Sequence, residues 1–369
     1  MSRPEATARA RLGGTKLAIS ALAGALAVWL LHAGGLPLVP QTDALARVSG
    51  WSIASYTALF ALVHVLRAAR WHWLLKPIGE VALRRIVNVS FVGFAAIVLL
   101  PLRAGEVVRP MMIRKDTQVS GWAAAGTIAA ERVLDGLLVS LLLLGGLLLS
   151  TPLDPLPDQI GDLPVPARLV PGAAYTALVL FGCAFMAMGL FYARRSAARR
   201  LVALSVGKLS PRLAAWLAAR VEALADGLRF LPRPALAWPF VALSLAYWLL
   251  NALATYQLGV ACGLAGMSYA IACVSMGVLA LGILLPNAPG YFGAFQISVY
   301  ASLALYFSAS QVQSAGAAFV FVQYAVQTVV TLGAGALGLL AERRRQPRAS
   351  DPSTTQLEPD LSQASPDGP

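Results

Sequence analysis

The sequence predicts an all-α, polytopic integral membrane bundle with re-entrant or broken helices and a two-fold pseudo-repeat. Three observations carry that expectation. Hydrophobic residues make up 58% of the chain and charged residues only 12%, with mean hydropathy +0.68, far from the balance of a water-soluble domain. Apolar stretches of roughly 20 residues, the length that crosses a bilayer, recur along most of the chain. Two shorter apolar runs, one in each half, are cut by proline at corresponding places.

Taken in order, residues 1–15 carry Arg3, Arg9 and Arg11 and read as a cytoplasmic N-terminus. The apolar stretch 16–34 has no small-x-small cleavage site before "HAGG", so it is expected to be a retained first helix rather than a signal peptide. Further spans are predicted at 51–75, 127–150, 173–193, 238–262 and 317–341, with shorter apolar runs at 86–101, 269–286 and 291–307. The membrane region thus covers 16–341, with possible repeats 16–193 and 238–341 joined by 194–237. In that linker Leu213, Trp216, Leu217, Val221, Leu224, Leu228 and Leu231 form a helical apolar stripe opposed by Arg212, Arg220 and Arg229. The stripe suits either the inner leaflet or the protein's own core. Residues 342–369 are polar and rich in proline and serine, the composition of a disordered cytoplasmic tail.

The net charge of +12 is not the footprint of a nucleic-acid binder, because the basic residues flank apolar runs instead of covering a separate domain. They orient the chain instead: loops rich in Lys and Arg stay cytoplasmic. That rule places both termini, the segment with Arg67, Arg70, Lys76, Arg84 and Arg85, and the loop with Arg194, Arg195, Arg199 and Arg200 inside the cell. The acidic segment 151–172 goes outside, which localises the protein to the cytoplasmic (inner) membrane as a multi-pass chain. Parity then makes 76–126 begin and end on the cytoplasmic face. The run 86–101 is therefore expected to be one arm of a re-entrant hairpin that turns near Pro101 and returns through Arg103, Glu106 and Arg109.

The second half echoes the first. Residues 89–105 and 274–290 share seven identities in 17 positions, among them Ser90/Ser275, Pro101/Pro286 and Gly105/Gly290. A broken apolar segment at matching positions of two halves points to the central site of a repeat-built transporter.

Charge at membrane depth dictates how such a site is built. An Arg or Asp at a helix centre costs about 2.5–3.5 kcal/mol, whereas a Leu or Val returns about 0.3–0.6 kcal/mol. Glu131, Arg132 and Asp135 therefore pair, line a cavity or snorkel to the interface. If the return arm is helical, Glu106 bridges Arg103 and Arg109; with Arg132, Glu131 and Asp135 the six groups are neutral. Arginine donors suit phosphate oxygens, so these six are the expected head-group residues, unless they merely occupy the cytoplasmic interface. Pro101, Gly105, Pro286, Pro289, Gly290 and Gly293 are the expected breaks, with Gly105 and Gly290 as hinges. Asn287, Tyr291 and Gln296 form either the opposite wall of the path or a kinked hairpin whose amides are satisfied locally.

No catalytic, metal or cofactor site is expected: His32, His64 and His72 have no metal-ligand spacing, and Cys183, Cys262 and Cys273 lie in apolar segments. "GAGALG" at 333–338 fits a dinucleotide fingerprint only in letters; inside an apolar helix it signals close helix packing.

"RAGEVVRP", then "AAERVLDGLLVSLLLL", then "LLPNAPGYFGAFQ" resemble the flippase-like membrane domain of the lysylphosphatidylglycerol synthase family, over about 16–341. The matching residues are Arg103, Gly105, Glu106, Glu131, Arg132 and Asp135, with Pro286, Pro289, Gly290 and Gly293 in the second half. Where relatives usually carry a glutamate, this chain has Gln296, so no role there rests on a carboxylate. The resemblance implies binding or flipping of a lipid head group by a stand-alone membrane protein that has no cytoplasmic transferase domain. Membrane lipids, anionic or lipid-linked, are the expected partners. The alternatives are a membrane-embedded transferase or hydrolase, with Glu106 or Asp135 as base, and a scaffold for a lipid or glycan synthase.

Overall fold

The computed structural model describes residues 22, 24–26, 28–115, 117–159, 162, 169–196, 210–284 and 288–345. Every regular element among them is helical. The principal ones in order are α1 (Thr42–Ala46), α2 (Gly50–Ala69), α3 (Trp71–Leu75), α4 (Leu83–Leu99), a 3₁₀ segment (Pro101–Val107), α5 (Val108–Arg114), α6 (Gly121–Leu148), α7 (Leu169–Ala193), α8 (Pro211–Asp226), α9 (Pro234–Ala261), α10 (Tyr269–Gly282), α11 (Ala294–Ala304) and α12 (Ala317–Arg345), the last preceded without a break by short helical turns from Ala309. Polar caps start several of them: the Ser49 and Ser268 hydroxyls accept from the backbone N–H of Ser52 and Ile271. Of the first expected span, 16–34, residues 22, 24–26 and 28–33 are helical and 16–21, 23 and 27 lie outside the described residues, as does the tail beyond Arg345.

Among the described residues four helices are long and apolar enough to cross a membrane: Gly50–Leu75, read through the bend at Arg70, Leu169–Ala193, Pro234–Ala261 and Ala309–Arg345. At 28 residues α6 is also long enough, about 42 Å at 1.5 Å per residue. What distinguishes it is the triplet Glu131, Arg132 and Asp135. The surface is inverted relative to a soluble protein: Leu141, Val179, Leu180, Met186, Leu190 and Val329 are exposed, while Arg70, Arg109, Glu131 and Asp135 are buried.

The expected hairpin is present as chain geometry. After α4 the backbone turns and runs back along the same helix, so that Gly105 lies on the backbone of Ala96 and Ile97, Arg109 crosses Gly93, and Arg85 donates to the carbonyl of Met112. Only glycine permits the first contact, because a Cβ at position 105 would overlap Ala96 and Ile97 main-chain atoms. Gly105 is thus a packing contact more than the free hinge the sequence suggested.

Glycine also sets the remaining close approaches. Gly335 and Gly338 of α12 lie on Ala95 and Asn88 of α4, the helix packing expected of "GAGALG". The amphipathic α8 divides its stripe: Leu224 lies on Gly126 of α6 and the following Leu228 is buried, whereas Leu213 and Trp216 stay exposed at its start. Arg220 stacks 4.9 Å from Trp216 and 5.6 Å from Trp122 of α6, clasping α8 to the bundle.

Candidate functional site

The site forms where the two proline-broken segments meet. The 3₁₀ segment after α4 holds Arg103 at φ 56°, and the counterpart after α10 holds Gly290 at φ 78° and Tyr291 at φ 57°. Left-handed backbone costs a non-glycine residue about 1–2 kcal/mol, and at Arg103 the side chain supplies the compensation. Its guanidinium donates to Glu106 Oε1 at 3.1 Å and to the carbonyl of Ile283, just past α10, at 3.0 Å. The latter bond ties the two breaks together. Pro286 and Asn287 lie outside the described residues.

Behind this layer is a continuous ion-pair network centred on α6. Glu131, wholly buried, takes Arg109 Nη1 on both oxygens at 3.1 Å, Arg70 Nη2 at 3.1 Å and Arg132 Nη2 at 3.5 Å. Asp135 is held by Arg70 through two parallel bonds of 2.6 Å and by Tyr247, whose hydroxyl donates at 2.8 Å. Ser244 accepts a further Arg70 bond at 2.7 Å. Aromatic faces cover the guanidiniums: Arg109 lies 4.1 Å from the Trp71 ring, and Arg70 lies 4.7 Å from Tyr247. Buried charge is tolerable only with this degree of pairing, since an uncompensated ion in low dielectric costs several kcal/mol.

All six sequence-predicted charges therefore converge, but with different partners. Glu106 bridges Arg103 and Arg132, the latter at 3.6 Å, and not Arg109. The return arm begins as a 3₁₀ helix, and Arg109 turns inward to Glu131. Asp135 takes Arg70 in place of its helix neighbour Arg132. Arg67 and Arg70, which the sequence counts among the cytoplasmic basic residues at the end of the predicted span 51–75, face the interior of the bundle on the helix that runs on to Leu75.

In front of the network is a cavity of about 190 Å³ whose walls include Arg67, Arg103, Arg132, Asp135, Trp248 and Tyr291. Arg67 stacks 4.4 Å from Phe94, and among the described residues it makes no ion pair; its buried Nε has no hydrogen-bond partner. Sequence reasoning missed the polar faces opposite. α9 presents Ser244, Tyr247, Trp248 and Asn251 at i, i+3, i+4 and i+7, and α12 presents Gln323, Gln327 and Thr331 at i, i+4 and i+8. That helical spacing inside apolar runs was a readable signal. Gln296 is not part of the wall: its Oε1 accepts from the N–H of Gly293 at 2.8 Å, a cap that a neutral amide fills. Of the described members of the second-half polar set, Tyr291 and Gln296, Tyr291 is the one on the cavity. No group of His, Cys, Asp and Glu suited to a metal ion occurs among the described residues.

The family described as the lysylphosphatidylglycerol synthase TM region matches residues 15–331. No curated protein and no solved structure matches the chain. The family match spans the hairpin, the α6 charges, the second-half break and the first half of α12, well over half of the sequence. This chain belongs to the lysylphosphatidylglycerol synthase TM region family, and is thereby a multi-pass membrane protein related to lipid modification or transport.

Proposed function

We propose that the protein moves an anionic lipid head group between leaflets through this cavity, with both termini on the cytoplasmic side of the inner membrane. The carrying observation is a charge surplus. Arg67, Arg70, Arg103, Arg109 and Arg132 face Glu106, Glu131 and Asp135, five guanidiniums against three carboxylates, where the sequence-predicted set was balanced. An anion completes the balance, and the planar donors of Arg67, Arg103 and Arg132 line the space where it fits. Acyl chains stay in lipid while the head group is sheltered by protein. Transport is favoured over a general-base role because every carboxylate of the cluster lies against a guanidinium.

Reconstitution in liposomes containing a head-group-labelled anionic phospholipid tests the reading. Wild-type protein is expected to accelerate exchange between leaflets, and the Arg103→Ala/Glu106→Ala variant to lose most of that rate. Equal exchange by the variant and wild type contradicts the assignment.

A further inference from the structure

We infer that a second anion site, separate from the central cavity, binds a phosphate monoester at the end of the bundle where α4 starts and α5 and α12 finish. Close packing brings those three ends together. Gly338 of α12 lies on the main-chain carbonyl of Asn88, a contact that a Cβ would break, so the last turns of α12 run beside the first turns of α4. Arg85 then links all three: its guanidinium donates to the Met112 carbonyl at 3.2 Å and approaches the Glu342 carboxylate at 3.9 Å.

Two adjoining cavities of about 430 and 480 Å³ flank this link, both walled by Ala82, Arg85 and Arg345. Lys115 belongs to the first, and Arg84 and Arg344 to the second. Among the described residues, neither shares a wall residue with the central cavity, and the acids on these walls are Glu80 and Glu342, set against five cationic side chains. That surplus calls for an anion, and planar guanidiniums match phosphate oxygens through paired donors. The start of α4 adds to it. Ala82 gives the helix no side-chain cap, so N–H groups of the first turn lack an intrahelical acceptor at the end of the helix dipole that favours phosphate. A monoester carries about −1.5 to −2 charges near neutral pH, which meets more of a surplus of three than a diester does. Arg84, Lys115 and Arg345 are exposed, so the anion reaches them without entering the bundle. A lipid headed by a bare phosphate and a soluble phosphate ester present this same chemistry.

Two measurements on the purified full-length protein separate the sources. Equilibrium dialysis of radiolabelled glycerol 3-phosphate against protein in phosphatidylcholine nanodiscs reads the soluble one, and native mass spectrometry with phosphatidic acid reads the lipid one. In at least one of them the Arg84→Gln/Arg345→Gln variant is expected to bind about tenfold or more weakly than the wild type, the order of one charge-assisted contact. The Arg103→Ala/Glu106→Ala variant is expected to keep that binding, and Arg84→Lys/Arg345→Lys to recover part of it. Exchanges at exposed positions rarely disturb folding, and Lys115→Gln, expected to weaken the same binding, serves as a second variant. Phosphatidic acid retention that falls with the Arg103/Glu106 pair alone overturns the second site and leaves the proposed central one standing. Absence of binding in both measurements, or binding that neither the Arg84/Arg345 pair nor Lys115→Gln weakens, overturns it as well.

Discussion

Glu131→Ala is expected to be the most damaging single substitution in the protein. It removes the one carboxylate that Arg70, Arg109 and Arg132 share, and leaves Arg109 with no acid partner in a fully buried position. Breaking a buried pair from one side typically costs about 3–5 kcal/mol, because the surviving ion stays buried without compensation. Most folded proteins hold only about 5–15 kcal/mol in total. Thermal denaturation in mild detergent should show a large fall in midpoint or a failure to purify as a monodisperse species. The double variant Glu131→Ala/Arg109→Ala should be less destabilised than the sum of the two single changes, since it deletes the orphan along with its partner. Additive losses would mean that the pair is not coupled as the geometry requires.

Gly105→Ala is expected to have the second largest effect, through backbone and not charge. The added methyl overlaps main-chain atoms of Ala96 and Ile97, which cannot rotate aside as a side chain would. Overpacking of this kind typically costs about 1–3 kcal/mol and sometimes more, and here the return arm must lift from α4, carrying Arg103 away from Ile283. Stability and lipid exchange should fall together. Gly145→Ala on α6 is the matched control: nothing lies within 4 Å of its added methyl, and the exchange of glycine for alanine inside a helix is worth up to about 1 kcal/mol in its favour. A Gly105→Ala protein as stable and active as the Gly145→Ala protein would show that the arm is not packed as described.

These two residues illustrate what was legible in the sequence. Gly105 and Pro101 announced a break, and the chain does turn back there along α4, so that turn could be read without coordinates. Glu131 and Asp135 announced a buried polar site because the energetics of charge in an apolar helix leave few other choices. The partners were not legible. Arg70 pairs with Asp135, 65 positions away, and charge counting could give it only a side of the membrane, because an exposed arginine and a buried one at the end of an apolar run look alike in one dimension. Gln323, Gln327 and Thr331 share a helical face, but reading them as a wall requires knowing that α2 and α9 stand opposite. The second-half amide stood between two readings for a related reason: Gln296 caps its own helix, a local use indistinguishable by composition from a place on the path.

Arg67 offers the most direct test of the central claim, that surplus positive charge around the cavity holds an anionic head group. Because it pairs with no carboxylate among the described residues, replacing it leaves no buried acid stranded. Arg67→Gln is expected to keep a thermal midpoint in detergent close to that of the wild type and to lose about tenfold or more in retention of a phosphodiester lipid, the order expected for one charge-assisted contact. Unchanged lipid retention by a well-folded Arg67→Gln protein would contradict the account.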